Sequence, residues 1–271
     1  RIGDLAWAAG DCQAQGFLFG ATAGRTTLNG EGLQHQDGHS HILFGTVPNC
    51  VTYDPCYGYE LAVVMHDGLR RMYAQGERVY YYITLMNEVE KAAQILQEEF
   101  GITANVWSVT SFNELTRDGM ACDDYNRLHP TADQKTPWVT SQLASHKGIV
   151  VAATDYMRNY SEQIRGWLPD SRPYVTLGTD GFGRSDSRAK LRSFFNVNAE
   201  HIVVATLKKL ADEGDIDVRL VQDAINSFDI DADQAPAWQR QPQYDFFPDA
   251  PAPKATREPN PVPELVEDDN H

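Results

Sequence analysis

The apolar positions of this chain change their spacing several times, and each change marks an element. Tyr57, Leu61, Val64, Met65, Leu69 and Met72 recur every three or four residues, with Glu60, Asp67, Arg70 and Arg71 on other faces. That spacing predicts an amphipathic helix over residues 57–73. The flanking stretches 47–53 and 79–84 are rich in β-branched and aromatic residues and predict short buried strands. The N-terminal third therefore reads strand, helix, strand. A helix over 88–100 follows, with Val89, Ala92, Ala93, Leu96 and Phe100 on one face. It ends at Gly101, where a left-handed cap costs glycine nothing. Residues 105–109 predict the next strand.

Ser111-Phe-Asn-Glu114 has the spacing of a capping box, which starts a helix running toward Tyr125. An apolar strand is predicted over 148–153, a helix over 155–167 with Tyr156, Tyr160, Ile164 and Trp167 in register, and a strand over 174–177. Three helices, over 186–195, 198–213 and 218–228, are expected to cap one side of the sheet. Strands alternating with helices imply an α/β fold with a mainly parallel sheet covered on both faces. The pattern contains no internal repeat and no coiled-coil heptads.

Composition narrows the class. A chain of 271 residues with 42% hydrophobic residues can build a real core. No apolar run reaches the length of a membrane span, and the charged N-terminus lacks the apolar centre of a signal peptide, so a cytoplasmic protein with no membrane contact is expected. Cys12, Cys50, Cys56 and Cys122 form no C-x-x-C pair and fit packing roles in a reducing compartment. A formal net charge of −15 without a Lys/Arg stripe argues against nucleic acid as a partner. Beyond residue 231 prolines and acids dominate, which predicts a poorly ordered tail over 232–271. Trp238, Tyr244, Phe246 and Phe247 could anchor that tail to a partner.

Candidate chemistry concentrates in Asn29-Gly-Glu-Gly-Leu-Gln-His-Gln-Asp-Gly-His-Ser-His41, which holds three of the eight histidines. Glycine lets a backbone approach a ligand closely, and histidine titrates near neutrality, so this composition suits a loop that moves protons. His35 is the candidate proton donor or acceptor. Glu31, four residues earlier, is placed to adjust its charge if the loop has helical character. His35, His39 and His41 also have a spacing that could gather imidazoles on zinc, but Gly38 interrupts the set and no cysteine lies nearby. The segment from Gly178 to Arg188 follows a strand and precedes a helix, a context for anion binding, yet Ser185 or Asp186 capping the next helix explains it as well. Arg25 is a candidate partner for a carboxylate, with an exposed salt bridge as the plainer reading.

Four stretches taken in order carry a resemblance. They are Gly3-Asp-Leu-Ala-Trp-Ala-Ala-Gly-Asp11, Thr26-Thr-Leu-Asn-Gly-Glu-Gly-Leu-Gln-His35, Asp37-Gly-His-Ser-His41 and Thr179-Asp-Gly-Phe-Gly-Arg-Ser-Asp-Ser-Arg188. From residue 1 to about 233 the chain resembles the C-terminal portion of the homodimeric bacterial type of pyruvate dehydrogenase. The resemblance implies the end of a pyrimidine-type thiamin-diphosphate-binding domain over 1–86, a transketolase C-terminal-like domain over 87–231, and the tail over 232–271. It implies oxidative decarboxylation of pyruvate, with the acetyl group passed to the lipoyl group of dihydrolipoyl acetyltransferase, in an enzyme that uses thiamin diphosphate and magnesium. The family's cofactor anchors are expected upstream of residue 1, so the isolated chain is expected to be inactive. His35 and Glu31 match the family's active-site histidine and glutamate. By that resemblance His35 faces the thiazolium side of the cofactor and handles protons on the pyruvate-derived intermediate.

The resemblance breaks at Tyr80-Tyr-Tyr-Ile-Thr-Leu-Met-Asn-Glu-Val-Glu90. There the end of the middle domain runs almost directly into a helix that the family places after a linker and a strand. An internal deletion near residues 84–88 is expected. The alternative to an enzyme portion is a non-catalytic truncated module that retains dimer and partner surfaces.

Overall fold

The computed structural model describes residues 2–20, 24–27, 36–84 and 90–240. In the first half, α1 (Ile2–Asp11), β1 (Gly16–Gly20), α2 (Ser40–Gly45), β2 (Cys50–Tyr53), α3 (Gly58–Leu69) and β3 (Tyr80–Thr84) follow one another. The three strands form one parallel sheet in the order β1-β3-β2, with Tyr81 beside Phe17 on one side and Val51 on the other. The alternation of β3 sends successive side chains to opposite faces. Tyr81 and Ile83 join Val51, Val64 and Met72 under α3, while Tyr80 and Tyr82 join Ala6, Phe44 and Val47 under α1 and α2. Tyr82 stacks on Phe44 at 3.9 Å between ring centroids, and the Tyr80 hydroxyl donates to the Ala6 carbonyl at 2.9 Å.

Helix α3 begins where expected because Glu60 reaches back to the backbone N–H groups of Cys56 and Tyr57, at 2.8 and 3.1 Å. Its last turn, Arg70–Ala74, widens to π geometry.

The second half contains α4 (Glu90–Phe100), α5 (Phe112–Leu128), α6 (Trp138–Leu143), β4 (Val150–Ala153), α7 (Arg158–Glu162), β5 (Tyr174–Leu177), α8 (Arg188–Phe194), α9 (Ala199–Glu213) and α10 (Val218–Ser227). β4 and β5 make a second parallel sheet, with Val150 opposite Tyr174. Ser111 caps α5 by accepting from the Glu114 N–H at 3.0 Å, and Gly214 closes α9 at a φ of 84°. The α/β class with parallel strands is therefore as the sequence implies.

Several elements differ from expectation. Of the three helices expected to cover the sheet, α9 lies on β4 and β5, whereas α10 packs on α9. There Val203, Leu207, Val221 and Ala224 share a cluster with Ala92 and Leu96 of α4. The continuous helix expected over 155–167 is broken: α7 spans only Arg158–Glu162, followed by a 3-10 turn at Arg165–Trp167. Its late start has a tertiary cause, because the Asp155 and Tyr156 carbonyls accept from the Arg25 and Thr179 N–H groups across the fold instead of starting a helix. Residues 105–109 form no strand. Helices α1, α2 and α6 and strand β1 were not anticipated. Residues 232–240 pack as part of the first compact unit, which runs Arg1–Arg240. There the Arg240 guanidinium donates to the Phe194 carbonyl at 2.6 Å.

The two halves are bound by Arg117 of α5. Its guanidinium donates to the Cys50 and Val47 carbonyls at 2.7 and 2.9 Å while pairing with Glu114 at 2.7 Å. Thus a charged side chain caps the turn that enters β2.

Candidate active site

Every strand but β1 runs into a polar residue at its carboxyl end. β2 leads to Asp54, β3 ends in Thr84, β4 leads to Thr154 and Asp155, and β5 leads to Thr179 and Asp180. In open parallel sheets ligands bind outside the carboxyl ends of the strands. Here hydrogen bonds tie the ends of the two sheets together.

The Thr84 hydroxyl donates to Asp54 Oδ1 at 2.5 Å, and His41 Nε2 lies 2.6 Å from Thr84 Oγ1. From the other sheet the Tyr156 hydroxyl reaches Asp54 Oδ1 at 3.5 Å. Burial pushes the Asp54 carboxyl up to about 6, against the bonds from Thr84 and Tyr156 that lower it. Burial drives His41 the other way, down to about 4, so its imidazole is neutral near pH 7. His41 is wholly buried, stacked on Tyr160 at 4.8 Å and edge-on to Tyr156. It is a core histidine, and with Thr84 donating to Asp54 it is the ring's Nε2–H that donates to Thr84. Asn113 closes the network, donating to the His41 carbonyl and to the Thr52 hydroxyl at 2.8 and 2.6 Å.

Glu31 and His35 lie outside the described residues, but the chain on both sides of them does not. On the upstream side the Thr26 N–H and Thr27 hydroxyl donate to Asp155 Oδ2 at 3.0 and 3.3 Å. Arg25 is buried, and its Nη1 donates to the Thr179 carbonyl at 2.5 Å and to the Gly181 carbonyl. Desolvation lowers the pKa of that guanidinium, while the charges of Asp37, Asp180 and Asp155 act in its favour. On the downstream side the Gln36 amide pairs with the backbone of Arg184, donating to its carbonyl at 2.6 Å and accepting from its N–H at 2.8 Å. The Gly38 carbonyl accepts from the Met157 N–H at 2.8 Å. Asp37 accepts from the N–H groups of His39 and Ser40, at 3.1 and 3.0 Å, and so opens α2.

Two glycines are required by these contacts. A Cβ at Gly38 would stand 2.0 Å from Arg25 Nε, and one at Gly183 would stand 2.4 Å from Gln36 Oε1. Both stems of the stretch holding Glu31 and His35 are therefore fastened to the loops that leave β4 and β5.

The same geometry revises three readings. The loop between β5 and α8 presents carbonyls to a cation, Arg25, rather than N–H groups to an anion. Ser187 is the N-cap of α8, and Asp186 accepts from the Ser187 N–H at 2.8 Å and pairs with Arg184 and Lys190, each at 3.9 Å. Arg25 binds carbonyls in the interior rather than a surface carboxylate. Among the described residues no three His, Cys, Asp or Glu side chains gather as a metal site. Nor is any described helix long and apolar enough to cross a membrane.

Sequence reasoning passed over Asp54, Thr84, Asp155, Tyr156 and Gln36. A signal was present: Thr or Asp follows each of the apolar runs Cys50-Val-Thr-Tyr53, Tyr80-Tyr-Tyr-Ile83 and Val150-Val-Ala-Ala153. Polar residues at the end of a buried strand are where such folds place function.

Known proteins give this geometry a context. The description of a pyruvate dehydrogenase E1 component middle domain matches residues 1–92, and that of a transketolase-like C-terminal domain matches residues 84–198. The pyruvate dehydrogenase E1 component of Pseudomonas aeruginosa is 50% identical over 278 residues, covering 86% of this chain and 31% of the relative. That of Escherichia coli K12 is 48% identical with the same coverage, and that of Cupriavidus necator is 46% identical over 276 residues. The chain thus spans about a third of the length of the curated relatives it matches. An aligned length of 278 against 86% of 271 residues leaves about 45 residues of the first two relatives with no counterpart here.

Proposed function

The chain belongs to the pyruvate dehydrogenase E1 family, and from that premise we propose that it is the C-terminal portion of a thiamin-diphosphate-dependent pyruvate dehydrogenase. In the assembled enzyme pyruvate is oxidatively decarboxylated and its acetyl group passes to the lipoyl group of dihydrolipoyl acetyltransferase. This chain's share of that work is proton handling: His35 exchanges a proton with the substrate and Glu31 sets the charge of the imidazole. A positioned histidine contributes about 10²- to 10⁴-fold in rate. Thiamin diphosphate and magnesium are held by parts of the enzyme outside this chain, and the complete enzyme is a homodimer. The chain alone is inactive.

The observation that carries the reading is the fastening of both stems around residues 28–35 to the loops after β4 and β5. Arg25, Thr26 and Thr27 on one side and Gln36 and Gly38 on the other engage Asp155, Met157, Thr179, Gly181 and Arg184. A proton-transfer group needs that kind of positioning. The test is a chimera in which residues 1–84 replace the matching stretch of the Pseudomonas aeruginosa relative. It is expected to turn over pyruvate, and His35→Ala in it to lower kcat about 10²- to 10⁴-fold with little change in cofactor affinity. An active chimera indifferent to His35→Ala would remove His35 from the mechanism.

A second reading rests on the residues missing relative to the relatives. The two domain matches meet between Thr84 and Ala92, and only residues 85–89 separate β3 from α4. A deletion at that junction makes the chain a truncated module of the family without catalysis. An uninterrupted junction of the same length in the genes of close relatives would contradict it.

A further inference from the structure

The loop over residues 178–187, between β5 and α8, receives both stems of the stretch around Glu31 and His35, yet it has little backbone structure of its own. From 180 to 187 no backbone N–H donates to a backbone carbonyl among the described residues. Such a loop keeps its shape through the groups fastened to it. Two of these are the stems, Arg25 on the Gly181 carbonyl and Gln36 on the Arg184 backbone. A further set comes from the far end of the described chain.

Residues 236–240 form a turn, closed by the Gln239 and Arg240 N–H groups donating to the Pro236 carbonyl at 2.8 and 3.2 Å. The turn lies directly on Gly181, whose φ is 100° and whose Cβ, if it had one, would stand 2.8 Å from Trp238 Cα. The Trp238 ring centroid is 5.4 Å from the Arg158 guanidinium carbon. Arg158 in turn is locked to the residue beside Gly181: its Nε donates to Asp180 Oδ2 at 2.5 Å and its backbone N–H to Asp180 Oδ1 at 3.1 Å. Two residues along, the Arg240 guanidinium donates to the Phe194 carbonyl at 2.6 Å and stands 4.5 Å from the Phe194 ring centroid, with that of Arg184 4.6 Å from the same ring. Trp238 is thus seated at the residue that Arg25 holds, and Arg240 on the ring that Arg184 shares.

We propose that residues 236–240 are a strap, with Trp238 and Arg240 as positioning residues for the stretch that holds Glu31 and His35. Trp238 acts through Gly181 and Asp180 on the upstream stem, and Arg240 through Phe194 and Arg184 on the downstream one. A proton-transfer group tolerates little displacement, which is why ties at this remove matter. The inference rests on the catalytic reading only for what the stretch does. The mechanical link holds without it.

The experiment follows hydrogen exchange of the full chain at the Arg184 N–H, which donates to Gln36, and at the Met157 N–H, which donates to Gly38, with the Tyr81 N–H in the centre of the first sheet as reference. Trp238→Ala and Arg240→Met are each expected to speed exchange at Arg184 at least about fivefold, and at Met157 by less, with Tyr81 and the urea midpoint unchanged. Trp238→Phe, which keeps a ring beside Arg158, is expected to restore slow exchange. This readout does not depend on catalysis, which the His35→Ala chimera tests separately. Unchanged exchange at Arg184 in both variants would overturn the proposal. So would equal acceleration at Tyr81, which would make the segment a general support of the fold, or a Trp238→Phe chain that exchanges as fast as Trp238→Ala.

Discussion

Two segments of this chain have nearly the same strand-forming character and opposite fates. Tyr80-Tyr-Tyr-Ile-Thr84 is buried along its whole length, hydrogen-bonded to a strand on each side and packed on both faces. Ile102-Thr-Ala-Asn-Val-Trp-Ser-Val-Thr110 joins neither sheet of the described residues and is largely exposed. Propensity therefore does not make a strand; partners do, because the free energy of a strand lies in its ladder and in the apolar area it buries. β3 has β1 and β2 to lie between. The second segment lies beside no strand among the described residues, in a chain about 45 residues shorter than the matching stretch of its relatives.

The sharpest way to break this comparison is to truncate an aromatic in each segment. Tyr81 is fully buried, and Tyr81→Ala is expected to cost about 3–5 kcal/mol in urea unfolding. Trp107→Ala is expected to cost under about 1 kcal/mol. Equal losses would mean that residues 103–109 are packed after all. Next in size is the acid–imidazole pair at the end of β3. The Asp54 carboxyl moves from its ordinary 3.8 up to about 6, so the folded state holds an extra proton in that window and stability falls as pH rises through it. His41 moves from 6.5 down to about 4, so the unfolded state holds the extra proton and stability rises with pH there. The two slopes oppose each other, each on the order of 3 kcal/mol in full. Asp54→Asn should leave stability rising from pH 4 to 6.5, and His41→Gln should leave it falling from pH 4 to 6. Parallel urea-midpoint profiles for the two variants would refute the arrangement. Arg117→Met, which breaks the strut between the halves, should cost about 2 kcal/mol, and a neutral result would show that Glu114 and the β2 turn do not depend on it. The smallest effect expected is Val106→Thr, within about 0.5 kcal/mol.

Legibility in the sequence followed the same rule of partners. Helices with a clear apolar face and a cap, such as α3, α5 and α9, could be read because their signals are local: Glu60 reaching back, Ser111 capping and Gly214 turning left-handed. Elements whose limits depend on distant groups could not. α7 starts late because Asp155 and Tyr156 bond to Arg25 and Thr179, more than twenty residues away in sequence. β1, Gly16–Gly20, is a short run between glycines that becomes a strand only by lying against β3. At the candidate site the motif around Glu31 and His35 was visible as composition. The contribution of Gln36, with its amide matched to the Arg184 backbone, was not, since no local pattern announces a bond spanning 148 residues.

The central claim is that this chain carries the proton-handling stretch of a thiamin enzyme without the groups that hold its cofactor. Titration calorimetry of the full 271-residue chain with thiamin diphosphate and magnesium tests it most directly. The account predicts no detectable binding up to millimolar cofactor, a Kd that would correspond to about −4 kcal/mol. Magnesium-dependent binding in the micromolar range, lost when magnesium is chelated, would show that the anchors lie within this chain and would contradict it.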